Sequence, residues 1–190
     1  VDVEAVNDAP VAVVRVEPLD ELWPGQTRQL IIAPYNDWTW VILDGTQSSD
    51  VEEDPLEYFW MEEESLVSFA SGPVVTNLFA VGTHRIMLMV DDGQDMGTAN
   101  TEFEVIGPSL VLEDLILIVN ESGLPRNRKQ PLVSSLRAAV ASFDRGNLVP
   151  AINQLQAVQN KLRAQVAPQD PLLAQRIQNA VQVVIDAVLN

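Results

Sequence analysis

The stretch LDGTQSSDVEEDPLEYFW, Leu43 to Trp60, contains the end of one strand pattern, an acidic loop and the start of a second strand pattern. The turn residues Asp44-Gly45 close the first apolar run, and apolar and aromatic residues resume at Leu56. Six carboxylates lie within this stretch, and Glu62 lies just beyond it. Three explanations compete for so much negative charge beside Trp60: a cation site, a catalytic acid pair, or a solvated loop.

The same alternation of short apolar runs and turns extends from this stretch in both directions. The runs are rich in β-branched and aromatic residues, and turns containing Gly or Pro separate them. Seven runs have the character of strands: 11–16, 28–33, 38–43, 56–60, 74–80, 84–90 and 98–106. Seven short strands at this spacing predict an antiparallel β-sandwich.

The hydrophobic period changes from 2 to 3.6 at Gly107-Pro108, and four amphipathic helical patterns follow. Short connections between them predict a small antiparallel α-helical bundle. The expected end signals are Gly123 and Gly146 after the first two helices, Asn147 and Asp170 as N-caps of the last two, and Pro171 at the first helical position. We therefore predict two domains, residues 1–107 and 108–190, with residues 1–6 as the end of a preceding repeat.

Charge is distributed very unevenly over a chain whose net charge is −16. Residues 1–107 hold 21 acidic and 3 basic side chains, whereas residues 108–190 hold 6 acidic and 8 basic ones. An acidic first half repels phosphate backbones, so we expect no nucleic-acid partner, and divalent cations become the natural ligands. No apolar run approaches the length of a membrane span, and the absence of cysteine excludes disulfides and thiolate chemistry.

Catalysis is not indicated by the residues that could support it. His84 is the only histidine and begins a predicted strand. The run Glu62 to Glu64 consists of neighbours in sequence, whereas a glycosidase needs two carboxylates that face each other across a cleft. We expect no enzymatic activity.

Three ordered motifs carry a family resemblance over residues 7–106: NDAPVAVV (7–14), the stretch 43–60, and VGTHRIMLMVDDGQ (81–94). Together they resemble a PKD-type, immunoglobulin-like domain. Two departures are visible: MEEES (61–65) stands where many members have an Asp-Phe-Gly-Asp-Gly turn, and His84 stands where Tyr is usual. The resemblance implies an immunoglobulin-like β-sandwich with Trp60 in its core.

Residues 110–189 are similar to the small helical FIMAH domain, which occurs beside such modules in secreted proteins. The motifs are LIVNESGL (117–124), the stretch 132–165 with RGNLVPAINQL as its most specific part, and AVQVVIDAV (180–188). This resemblance implies architecture and an extracellular or cell-surface setting, and it implies no mechanism. The expected partners are other domains of the same polypeptide, and another surface protein or a polysaccharide.

Some PKD-type domains bind calcium, and the resemblance assigns the ligands residue by residue. The metal ligands so implied are Asn7, Asp50 and Asp92, with the Asp8 carbonyl as a fourth ligand. Glu52 and Asp54 lie within four residues of Asp50, close enough to be outer or additional ligands. Calcium prefers oxygen ligands of these kinds. We expect such a site to order the N-terminal junction, and the competing explanation is a solvated acidic edge.

Two further features leave alternatives open. Strand alternation that sends Val41 and Leu43 inward sends Trp38 and Trp40 to the opposite face. There they either stack on sugar rings or contact the helical domain or the edge of a longer strand. The basic cluster PRNRKQ (125–130) either docks on the acidic sandwich or is a solvated loop. The predicted function is a non-catalytic structural and interaction segment of a larger secreted protein, stabilised by calcium; the alternative is a carbohydrate-binding module.

Overall fold

A computed structural model describes residues 6–63, 65 and 67–189. The segment that we interpret as the end of a preceding repeat lies outside these residues, except for Val6. A β region of two sheets occupies residues 15–106, and four helices occupy residues 108–189. The predicted order, strands first and helices afterwards, is confirmed.

Eight strands are found among the described residues. They are β1 (Arg15–Glu17), β2 (Leu30–Ile32), β3 (Trp38–Asp44), β4 (Glu57–Glu62), β5 (Ala70–Ser71), β6 (Val74–Ala80), β7 (Gly82–Asp91) and β8 (Met96–Ile106). One sheet has three strands in the order β1-β3-β6, and the other has five in the order β2-β8-β7-β4-β5. Strands β1 and β3 pair antiparallel, as β4 does with both β5 and β7.

Every predicted run overlaps a strand, but two details differ. The first run is interrupted: Val11 forms only an isolated bridge with Ser49, and strand β1 begins at Arg15. Strand β5, Ala70–Ser71, was not predicted, because two residues are too few to show a period of 2.

Trp60 is the central aromatic residue of the β region, as the sequence predicts. Its side chain is fully buried, and its indole nitrogen Nε1 donates a hydrogen bond of 2.8 Å to the carbonyl of Gly72. In β4 it lies opposite Leu88 of β7. Gly45 packs so closely on this group that an added Cβ would lie 3.3 Å from the Trp60 ring and 2.9 Å from Leu88. The predicted turn at Asp44-Gly45 therefore also covers the core.

The helices among the described residues are α1 (Pro108–Glu121), α2 (Arg126–Phe143), α3 (Leu148–Lys161) and α4 (Pro171–Leu189), and α3 continues into a π-helical turn at Leu162–Val166. The N-cap at Asp170 is confirmed, since its Oδ1 accepts a 3.0 Å bond from the backbone N–H of Leu173. Asn147 occupies the N-cap position of α3, but its side chain makes no capping hydrogen bond.

Residues 126–130 of the basic cluster 125–130 are helical, so the interpretation of the cluster as a loop is wrong. Helix α2 begins at Arg126, six residues before the apolar pattern that starts at Leu132. The sequence was misleading here because proline ordinarily marks the beginning or end of a helix, whereas Pro131 lies inside α2.

The chain divides into two compact units whose residues are not contiguous in sequence. The first, the β unit, comprises residues up to Leu19, Trp40–Phe79 and Thr83–Glu104; the second, the helical unit, comprises Asp20–Thr39, Ala80–Gly82 and residues from Val105 onward. Residues 20–39 thus group with the helices although they lie early in the chain. The domain boundary at residue 107 stays a prediction.

The helical unit has one large apolar core, to which the segment 20–39 contributes. Leu22, Leu30 and Ile32 are buried in it beside residues of all four helices. Burial raises the pKa of Asp20, and the hydrogen bond that its Oδ2 accepts from the Ile32 N–H at 2.7 Å acts in the opposite direction. Trp23 packs against the same core with the Arg176 guanidinium 4.6 Å above its ring.

No helix within the described residues is long and apolar enough to cross a membrane.

Candidate cation-binding site

The acidic loop between β3 and β4 folds around the side chain of Asp50. Its Oδ1 accepts hydrogen bonds from the backbone N–H groups of Glu52 at 2.9 Å and Asp54 at 3.2 Å. Its Oδ2 is inaccessible to solvent and has no hydrogen-bond partner among the described residues. A buried carboxylate oxygen without a partner is costly, and such an atom in a native structure calls for an explanation, such as a bound ion or water.

The turn after β7 folds around Asp92 in a similar way. Its Oδ1 accepts bonds of 2.7 Å from the backbone N–H groups of both Gln94 and Asp95, and Gly93 takes a φ of 91° that favours glycine. Hydrogen bonds lower the pKa of the Asp92 carboxyl. The largest effect comes from the bond that the Asp95 N–H donates, and the next from a bond that the Asn7 side chain donates to Oδ2 of Asp92. Asp92 is thus held in its ionised form to a lower pH than a free aspartate.

Asn7 connects the start of the chain to this turn. Its Nδ2 donates to the Asp92 Oδ2 at 3.0 Å and to the Asp95 Oδ2 at 3.2 Å. Its own Oδ1 accepts a bond of 3.1 Å from Gln94 Nε2. Residues 85 to 88 positions apart in sequence therefore meet at this point.

The neighbouring residue connects the start of the chain to the other loop. The backbone N–H of Asp8 lies 3.3 Å from Glu52 Oε2, and the Glu52 backbone is bonded to Asp50. Hydrogen bonds, together with the peptide bond between Asn7 and Asp8, therefore connect all six of the predicted site residues: Asn7, Asp8, Asp50, Glu52, Asp54 and Asp92.

The two loops around Asp50 and Asp92 are connected through the start of the chain, by Asn7 and Asp8. No hydrogen bond joins Asp50 to Asp92, and no group of three or more Asp, Glu, His or Cys among the described residues is arranged to hold a metal. A cation here would need amide, backbone carbonyl or water oxygens in addition to carboxylates. Such mixed oxygen sets suit calcium, which takes about 6–8 oxygen ligands. The Asn7 amide would have to rotate by half a turn to present its oxygen to a cation beside Asp92.

Two members of this cluster were missed from the sequence. Asp95 and Gln94 both contact Asn7. Asp95 lies just outside the family motif 81–94, and Gln94 lies in that motif without an assigned role as a ligand. A local signal did exist, because in DDGQD the side chain of an aspartate commonly bonds to backbone N–H groups two or three residues on.

Trp38 and Trp40 are both solvent-exposed, and they alternate along β3 with the buried Thr39 and Val41. The exposed fraction is 39% for Trp38 and 57% for Trp40. The alternation predicted from the sequence is confirmed. Ile42, the next outward residue of the strand, is also exposed.

His84 lies in β7 and contacts aromatic side chains. The centroid of its ring lies 4.9 Å from that of Phe79 and 5.4 Å from that of Phe103. Its Nδ1 lies 3.7 Å from Oε1 of Glu62, a residue of β4. Of the run Glu62 to Glu64, Glu62 is therefore the last residue of a strand and Glu63 lies in a turn, and Glu64 lies outside the described residues.

Comparison with known proteins found no match: no protein-family profile, no curated protein and no solved structure is significantly similar to this chain.

Proposed function

We propose that this chain is a non-catalytic segment of a larger secreted or cell-surface protein, and that it serves as a spacer and a protein-contact module. Its finer fold would be an immunoglobulin-like sandwich of the PKD type followed by a FIMAH-like antiparallel bundle. The two sheets with Trp60 between buried strand residues, and the four helices after residue 107, support this proposal. Its partners would be other domains of the same polypeptide and a second surface protein.

Calcium would stabilise the segment at its N-terminal junction. The single observation that carries this proposal is the inaccessible, unpartnered Oδ2 of Asp50, the kind of atom that a hard cation would neutralise. Asn7, the Asp8 carbonyl and Asp92 would supply further oxygens, with Glu52 and Asp54 in outer positions.

The mechanical consequence follows from chain connectivity. Asn7 and Asp8 are the residues through which any preceding domain would be attached, and a cation bound to both neighbouring loops would hold them against the β unit. A junction fixed in this way would hold a preceding domain in a defined orientation relative to the β unit, whereas a free linker of a few residues allows wide motion. This is the property that a spacer in a tandem array needs.

The test of the calcium proposal is a comparison of Asp50→Asn with the unsubstituted chain, with and without calcium. In chelator we expect Asp50→Asn to melt at the same temperature as the parent or higher, because it removes the negative charge of a carboxylate whose buried Oδ2 has no partner. With calcium at a hundred times its Kd the parent should gain about 2.7 kcal/mol, since the ion binds only the folded state. The variant should gain little, so the order of stabilities reverses.

Asp44→Asn is the matched control. Asp44 also bonds the backbone N–H two residues on, that of Thr46, and the substitution removes the same charge outside the Asn7 and Asp50 contacts. It should retain the full calcium response in calorimetric titration. An equal melting temperature of the parent in chelator and in calcium would refute the proposal.

Carbohydrate binding is the second candidate function, and the exposure of Trp38 and Trp40 favours it. Indole rings on an exposed strand offer flat apolar surface, and a partner normally covers such surface. The ligand would be a neutral polysaccharide, since the acidic β unit disfavours anionic chains.

Trp40→Ala should abolish a change in tryptophan fluorescence on titration with soluble β-glucans, if this candidate is correct. We expect a loss of about 10-fold or more in affinity, typical of removing a stacking ring at a binding surface. Trp23→Phe is the control, because Trp23 packs on the helical core. No fluorescence response in the parent chain would remove this candidate.

A further inference from the structure

Helices α1 and α2 border a cleft whose charge is opposite to that of the chain as a whole. The cleft has a volume of about 440 Å³. Its lining comprises Asn120 from α1 and Arg126, Lys129, Gln130, Val133, Ser134 and Arg137 from α2. Three of these seven residues are cationic and none is acidic, in a chain of net charge −16. We refer to this feature as the basic cleft.

The cationic residues of this part of the helical unit fall into two groups. Arg128 Nη1 donates to the carbonyl of Gln165, and Lys161 Nζ donates to the carbonyl of Pro131 and the hydroxyl of Ser135. These two bases have structural roles between helices. Arg126 and Arg137, by contrast, line the cleft and form no ion pair with any residue of the described part of the chain.

Lys129 is held at the cleft by a backbone contact. Its Nζ donates a 2.6 Å hydrogen bond to the carbonyl of Asn120, near the C-terminal end of α1. One of its three N–H donors is used in this way, so two can serve a ligand. The ammonium group is thus positioned before any ligand arrives, which lowers the entropy lost on binding.

The arrangement is unfavourable for α2 without an anion. Arg126 and Lys129 lie in its first turn, where no acidic residue is present and where the helix dipole favours negative charge. Like charges three residues apart also repel each other on a helix. A bound anion would remove both penalties.

The lining also indicates what kind of anion fits. Val133 is a buried apolar residue that could contact a carbon skeleton, and Gln130 and Ser134 supply neutral hydrogen-bonding groups. The cleft volume is within the range of about 300–1,000 Å³ for small-molecule sites. We propose that the basic cleft binds a small organic anion carrying two or more carboxylate or phosphate groups, a binding site beyond the function proposed above.

Calorimetric titration of the chain with citrate and with glucose 6-phosphate, in calcium-free buffer at fixed ionic strength, tests this proposal. We expect saturable 1:1 binding of at least one of the two probes. Arg126→Gln and Arg137→Gln should each weaken it about 3- to 10-fold, as expected for a partly solvated charge-assisted contact. Both side chains are exposed, so the variants should fold, and circular dichroism checks this.

Arg145→Gln and Arg163→Gln are the matched controls, because both remove one exposed positive charge of the helical unit outside the cleft. They should bind the probe as the parent does. Equal weakening in the controls would show binding to net charge alone and would overturn the proposal. It would also be overturned if neither probe binds, or if a hexaglutamate peptide binds more tightly than both, since the cleft would then serve an extended acidic chain.

Discussion

Trp60→Ala is expected to lower the free energy of unfolding of the β unit by about 3–5 kcal/mol, the usual cost of truncating a large buried aromatic residue. Two losses combine in this value. The indole ring is fully buried between strands, so its removal leaves a cavity beside Leu88 and Gly45. The substitution also leaves the carbonyl of Gly72 without the hydrogen bond that the indole nitrogen supplies.

Denaturant unfolding followed by circular dichroism measures this loss. Trp60→Phe separates the two losses, because phenylalanine retains an aromatic ring but cannot donate a hydrogen bond to the Gly72 carbonyl. The free energy of unfolding of Trp60→Phe should lie between that of the parent and that of Trp60→Ala. Trp40→Ala removes an indole of the same size from an exposed position of the same unit and should change stability by less than about 1 kcal/mol. A similar cost for Trp40→Ala and Trp60→Ala would contradict the assigned core.

Gly97→Ala is expected to be the second most damaging substitution, although it adds a single methyl group. The new Cβ would lie 1.9 Å from the carbonyl oxygen of Pro10 and 2.9 Å from its carbonyl carbon. Both atoms belong to the backbone, so no rotamer change relieves the clash and one of the segments must move. We expect a loss of about 2–3 kcal/mol, at the upper end of typical overpacking costs.

The same substitution connects stability to the candidate calcium site. Pro10 follows Asn7 and Asp8 closely, and Gly97 follows the turn that contains Asp92 and Asp95, so a displaced backbone would separate Asn7 from Asp92. Gly97→Ala should therefore also lose its calcium response in a thermal melt. Gly123→Ala is the control, since an added Cβ there meets nothing within 4 Å. If Gly97→Ala were as stable as Gly123→Ala, the close approach of the two segments would be wrong.

Part of this architecture follows from local patterns. The period of 2 predicts the strands, because alternate side chains face opposite sides of a sheet, and it correctly assigns Trp38 and Trp40 to the exposed side. The buried position of Trp60 and the cap at Asp170 also follow from short motifs. Each of these features depends on residues within a few positions of one another.

Other features depend on residues far apart, and no local pattern encodes them. The proximity of Asn7 and Asp92 was expected only from the family resemblance, as ligands of one cation. The approach of Gly97 to Pro10 was not expected, nor was the grouping of residues 20–39 with helices that begin at residue 108. Local propensity and periodicity act over one strand or one helix. Contacts between residues that are 80 or more positions apart in sequence arise only when separate strands and helices pack together. The sequence by itself therefore determined the strands and helices and their exposed faces. The tertiary structure determined which loops and clefts those elements bring together.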